Sequence, residues 1–111
     1  MAETFNNQST QLTTTGTFDA YTAPNASGNR AIVLSCLVAN RDGTNNCTIS
    51  VFVANNSNVY LSYIAKSITV PADSTVELIP NKLVLTQGQR LRAFASNAND
   101  LDATVSVLEI T

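Results

Sequence analysis

Apolar residues recur along this chain at alternate positions in short runs, and each run is closed by Asn, Gly, Asp or Pro. That pattern predicts β-strands joined by tight turns. Phe18 to Thr22 alternates and stops before Pro24. Ala31 to Ala39 is apolar on both faces, with Ile32, Leu34, Cys36 and Val38 on the expected inner side and Val33 and Leu37 on the other, so it predicts a central strand. The following Asn40 to Asn45 contains Asp42-Gly43, a pair that supplies the positive φ of hairpin loops. A hairpin is therefore expected there, with Cys47, Ile49, Val51 and Val53 pointing inward on the returning strand and Phe52 outward.

Asn55 to Asn58 predicts a second turn, followed by one bent strand or two short ones from Val59 to Val70. Pro71 to Ser74 ends that ladder, because proline donates no backbone hydrogen bond. Shorter strands carry Val76 and Leu78, then Leu83 and Leu85. Leu91, Ala93 and Ala95 alternate with Arg90, Arg92 and Phe94. In the last strand Leu101, Ala103, Val105 and Val107 alternate with polar residues, but Leu108 and Ile110 then fall on the formerly polar side. Either a bulge shifts the phase or something covers the outer face of this strand end.

No segment of useful length has a helical period. The expected fold is all-β, a single antiparallel β-sandwich of seven to eight strands, either jelly-roll-like or immunoglobulin-like. Residues 1–17 are polar, with isolated apolar residues at Phe5 and Leu12, and predict an extended N-terminal arm ahead of a sandwich domain at 18–111.

Composition narrows the function. The chain has 111 residues, of which 44% are apolar, enough for one core. Its net charge is −2, with six scattered basic residues, which argues against nucleic acid as a partner. No apolar run approaches the ~20 residues that span a bilayer, so no membrane is expected. The start, Met1-Ala2-Glu3-Thr4, lacks the basic-then-apolar pattern of a secretory signal, which predicts synthesis in a cytoplasm without secretion. In that setting Cys36 and Cys47 read as reduced, core-filling thiols, with a cross-strand disulfide as the alternative. The Asn-x-Ser/Thr triplets at Asn7, Asn25, Asn46 and Asn55 read as products of composition.

Little is left for catalysis. Histidine is absent, which removes imidazole-dependent hydrolysis. Asp19, Asp42, Asp73, Asp100 and Asp102 fall in or beside predicted turns, where Asp caps and closes the backbone. Asp100 and Asp102 offer too few oxygens for calcium. No enzyme, cofactor or metal site is expected. Tyr60 and Tyr63, three apart on a strand, are expected on opposite faces and so cannot jointly stack a sugar.

One group stands out. Phe5 and Leu12 in the arm, with Val33, Leu37, Phe52, Phe94, Leu108 and Ile110 opposite the inward stripes, form a candidate subunit interface, because soluble monomers rarely expose contiguous apolar area.

The segments YTAPNASGNRAIVLSCLVANRDGTNNCTISVFV, YLSYIAKSITVPADSTVEL and NKLVLTQGQRLRAFASNANDLDATVSVLEIT resemble small β-sandwich proteins of tailed bacteriophages, from marine and cyanobacterial phages among others. The resemblance covers about Tyr21 to Thr111. It implies a β-sandwich virion component, placed on the capsid, at the neck or along the tail, and the first expectation drawn from it is a non-enzymatic structural protein that self-associates and docks on the capsid as a decoration protein. Its partners would be other copies and virion proteins such as the major capsid or neck and tail proteins. Neck or tail attachment is the first alternative, and a glycan- or host-surface-binding module the second. The resemblance also implies that the terminal strand and N-terminal arm make subunit contacts.

Overall fold

The computed structural model describes residues 2–111 as nine strands and no helix. Met1, the first residue of the expected arm, lies outside the described residues. The strands are β1 (Glu3–Gln11), β2 (Phe18–Thr22), β3 (Arg30–Asn40), β4 (Cys47–Ala54), β5 (Tyr60–Val70), β6 (Thr75–Glu77), β7 (Leu83–Thr86), β8 (Arg90–Ala95) and β9 (Leu101–Ile110). Sheet A runs β1-β9-β3-β6, and β7 pairs with the other half of β3. Sheet B runs β2-β8-β4-β5. All pairings are antiparallel.

β6 and β7 lie against the two ends of β3, opposite residues 37–39 and 30–33 respectively. They therefore act as one interrupted edge, and the nine strands make eight columns. Successive columns alternate between the sheets except at the β4–β5 connection. This order is a jelly roll, which settles the choice that alternation left open.

The hairpin expected at Asp42-Gly43 is absent, because β3 belongs to sheet A and β4 to sheet B. The turn is a corner between sheets. Buried Asn40 holds it: its side-chain amide donates to Asn45 O and Val70 O, both at 2.9 Å, and its Oδ1 accepts from the Asp42 amide. Asp42 then accepts from the Thr44 and Asn45 amides, which keeps its carboxyl below the usual carboxylate range. The true hairpin is the Asn-rich turn between β4 and β5. There the Asn55 side chain accepts from the Ser57 and Val59 amides, and Asn58 adopts a φ of 64°.

The core is aliphatic. Ala31, Val33, Cys36, Val38, Leu85, Leu101, Val105 and Val107 from sheet A meet Ile49, Val51, Val70, Leu91, Ala93 and Ala95 from sheet B. A hydrogen bond of 2.5 Å from Tyr21 to Glu109 ties the sheets at one rim. The inner face of β3 is the expected one at Cys36 and Val38 but differs in the first half of the strand, where Ile32 and Leu34 were expected inward. Ala31 and Val33 point inward, and after a register shift between Val33 and Ser35 so do Cys36 and Val38. Leu34 is the extra residue of a bulge, which exchanges the two faces of the strand at that point.

Candidate interaction surfaces

β1 pairs with β9 along its whole length, and its residues are almost all exposed. Leu12 follows it and turns into the core, where its amide donates to Leu101 O at 3.0 Å. The bulge in β3 likewise sends Val33 into the core. These two proposed contact residues are therefore covered by the chain itself.

The others divide between two outer faces. On sheet A, pairing sets Phe5 beside Leu108, Leu108 beside Ile32, and Ile32 beside Val84. An apolar row thus crosses all four columns, a width of about 14 Å. Phe5 is 77% exposed and Val84 54%. Ile110 lies two residues along β9 on the same face, and Leu37, 42% exposed, lies further down β3. β9 has no bulge; the break in its phase is the strand's share of this row. Ile32 was expected inward, and Val84, alone between Leu83 and Leu85, carried no visible signal.

The same face holds Glu3 beside Ile110, Glu77 beside Leu37, and Asp102, with Arg30 in β3 and Arg41 just beyond it as the bases. Asp102 is paired with Arg41 at 3.0 Å. The outer face of sheet A is therefore apolar with an acidic surround.

Sheet B presents Phe52 and Phe94 outward. Phe52 is almost covered, because Tyr60 and Tyr63 pack on it with ring centroids 5.8 and 5.7 Å away, and those two rings are 5.2 Å apart. The tyrosines thus share a face, contrary to expectation. The reason is register: Val53 pairs with Ser62 and Ala54 with Tyr60, so Leu61 is an extra residue that turns Tyr60 to the side of Tyr63. Tyr60 remains 53% exposed. Arg92 sits beside Phe52 and Arg90 beside Ala54. Arg92 Nε contacts Asp19 at 2.7 Å, Arg90 donates to Asn58 Oδ1 at 2.6 Å, and Lys66 Nζ lies 5.5 Å from the centre of the Tyr63 ring. Asp19, expected near a turn, is a strand residue of β2 that orients these guanidinium groups. It is the one acid in the strands of sheet B, against Lys66, Arg90 and Arg92.

Cys36 and Cys47 are free and buried, facing the core from opposite sheets. Burial and the Glu77 carboxylate push the Cys36 thiol up to about 12, so it is a core residue rather than a nucleophile. Among the described residues no group of three or more Cys, Asp or Glu side chains is arranged to hold a metal ion, and no helix is long and apolar enough to cross a membrane.

No family model matches the sequence, and no curated protein matches it. Solved structures do share the fold. A Bacillus endospore appendage protein, from a family of disulfide-linked pili, superposes with a TM-score of 0.59 at 11% identity, covering 99% of this chain and 87% of that one. A capsid chain of Helicobacter pylori bacteriophage KHP30 gives 0.52 at 14% identity, covering 100% and 89%. A chain of the viral particle of IBDV, infectious bursal disease virus, gives 0.56 at 10% identity, covering 97% of this chain. This chain spans only 31% of that viral chain's length. At such identities the common property is the fold.

Proposed function

We propose that this chain is a non-enzymatic structural protein of a bacteriophage virion, which self-associates and docks on the capsid as a decoration protein. The observation that carries the reading is the apolar row Phe5, Leu108, Ile32 and Val84 on the outer face of sheet A. A monomer gains nothing from two such exposed residues at opposite edges of one sheet, whereas a subunit in an assembly buries them. Its fold also serves as a module in a phage capsid chain and in a viral particle chain. Synthesis in the host cytoplasm and residence in the virion complete the reading.

The likeness to a pilus protein raises a second reading, a filament subunit. A covalent filament cross-linked by disulfides would need an accessible thiol, and Cys36 and Cys47 are both 1% exposed. That favours assembly through surfaces. Electron microscopy of particles made with and without the chain tests the proposal. Missing surface density and reduced particle stability are expected in its absence, whereas particles of unchanged composition and stability would rule it out.

A further inference from the structure

The two outer faces of the sandwich differ in charge as well as in shape. Sheet A presents Glu3, Glu77 and an Asp102 already paired with Arg41, against Arg30, around the apolar row that starts at Phe5. Sheet B presents Lys66, Arg90 and Arg92 against Asp19 around a ring cluster. A molecule with a small overall charge of −2 thus carries an acidic face and a basic face on opposite sides.

We infer that the partner of the sheet A face is the sheet B face of a second copy, so that the chain stacks head to tail. This rests on the self-association proposed above and specifies its geometry. Pairing sheet A with its own kind would set acidic surround against acidic surround, and like charges across an interface oppose association. Pairing A with B sets Glu3 and Glu77 toward a surface that carries an excess of cations. It also gives the Phe5 and Val84 side chains an aromatic counterpart in Tyr60 and Tyr63. Both surfaces have the composition of an interface, aromatic and aliphatic at the centre with charge around it. Because the two contacting patches differ, each bound pair leaves one patch of each kind open, and the contact propagates into a ring or a linear stack rather than stopping at a dimer.

The test uses two double variants of exposed residues. One disables sheet A (Phe5→Ser with Val84→Ser) and the other disables sheet B (Tyr60→Ser with Lys66→Glu). Circular dichroism first confirms that both fold as the parent does. In analytical ultracentrifugation the parent chain is expected to grow beyond a dimer as concentration rises. Each variant alone is expected to remain monomeric, and an equimolar mixture of the two to form a dimer and nothing larger, since each supplies the patch the other lacks. Added salt should weaken all of these associations.

If the sheet B variant associates as the parent does while the sheet A variant is monomeric, head-to-tail stacking is wrong and sheet A pairs with itself. The self-association proposal survives that result. A parent chain monomeric at about 100 μM removes both. A monomeric parent whose Tyr60 and Lys66 signals shift saturably with sialyllactose in an NMR titration would overturn stacking in favour of an acidic-glycan site on sheet B.

Discussion

Replacing Phe5 by Ala separates assembly from folding. Its ring stands on the outer face of an edge strand and is 77% exposed, so the fold gains little from it beyond the cross-strand contact with Leu108. Such a pair contributes roughly 0.2–1 kcal/mol. A phenylalanine offers on the order of 200 Å², so about 150 Å² of this one is open to a partner. At about 25 cal/mol per Å², full burial would stabilise a contact by roughly 4 kcal/mol. Ordering and imperfect fit take up part of this, leaving about 2 kcal/mol in measured affinity. Phe5→Ala should therefore weaken self-association about 30-fold. Sedimentation velocity over a concentration series measures the first quantity and thermal unfolding of the dilute protein the second. The melting temperature should fall by only about 2–4 °C. An unchanged association constant with an unchanged melting temperature would refute the reasoning, and so would a collapse of stability, which would make Phe5 a folding residue.

Four further outcomes follow from the interior and the turns. Ile49→Ala empties a fully buried position on β4 and should cost about 2–5 kcal/mol in denaturant unfolding. Gly88 has a φ of 69°, and an added Cβ would run into the Asn25 side-chain oxygen, whereas Gly28, at φ 80°, has open space around it. Gly88→Ala should thus destabilise by more than Gly28→Ala, for which strain of about 1–2 kcal/mol is expected, in parallel chemical melts. The Asp42 carboxyl titrates lower in the fold than its ordinary 3.8, so its contribution is complete above that value and fades as pH falls through the lower folded value. Asp42→Asn should therefore lower the melting temperature at neutral pH, and the difference should shrink on acidification. Burial, then the hydrogen bond and charge of Glu109, raise the Tyr21 hydroxyl above its ordinary 10.0. Its stabilising effect is full below that value and declines as pH rises beyond it. Tyr21→Phe should cost about 1 kcal/mol at neutral pH and flatten the alkaline loss seen in urea melts.

The strands were legible because alternation and turn residues agree along almost the whole chain. What alternation could not carry was phase across a bulge. Ile32, Val33 and Leu34 are three consecutive apolar residues, and nothing in their types marks Leu34 as the extra one, so the expected inner face of β3 holds at Cys36 and Val38 but is one residue out before the bulge. The same limit hid the tyrosine cluster, since Leu61 is the residue that brings Tyr60 round to Tyr63. Asp-Gly at residues 42–43 marks a reversal of direction but carries no information on whether the next strand joins the same sheet; the corner is braced by tertiary hydrogen bonds from Asn40 that local sequence does not reveal. Part of the surface group was visible in the sequence: Phe5 as an isolated apolar residue in a polar arm, and Leu37, Leu108 and Ile110 as apolar residues opposite the inward stripes. Val84 was not, because a single valine inside an apolar run has no phase to break.

The extra residue at Leu34 also determines where the chain can change length. An insertion in the turn at Asn55 to Asn58 adds loop and leaves every ladder as it was. Deleting one residue between Val33 and Ser35 would reverse one half of β3 relative to the other, and either Cys36 and Val38 or Ala31 and Val33 would leave the interior. Related sequences should therefore vary in length at the tip of the β4–β5 hairpin and keep the spacing of residues 31–38 fixed, even where the side chains at those positions have changed.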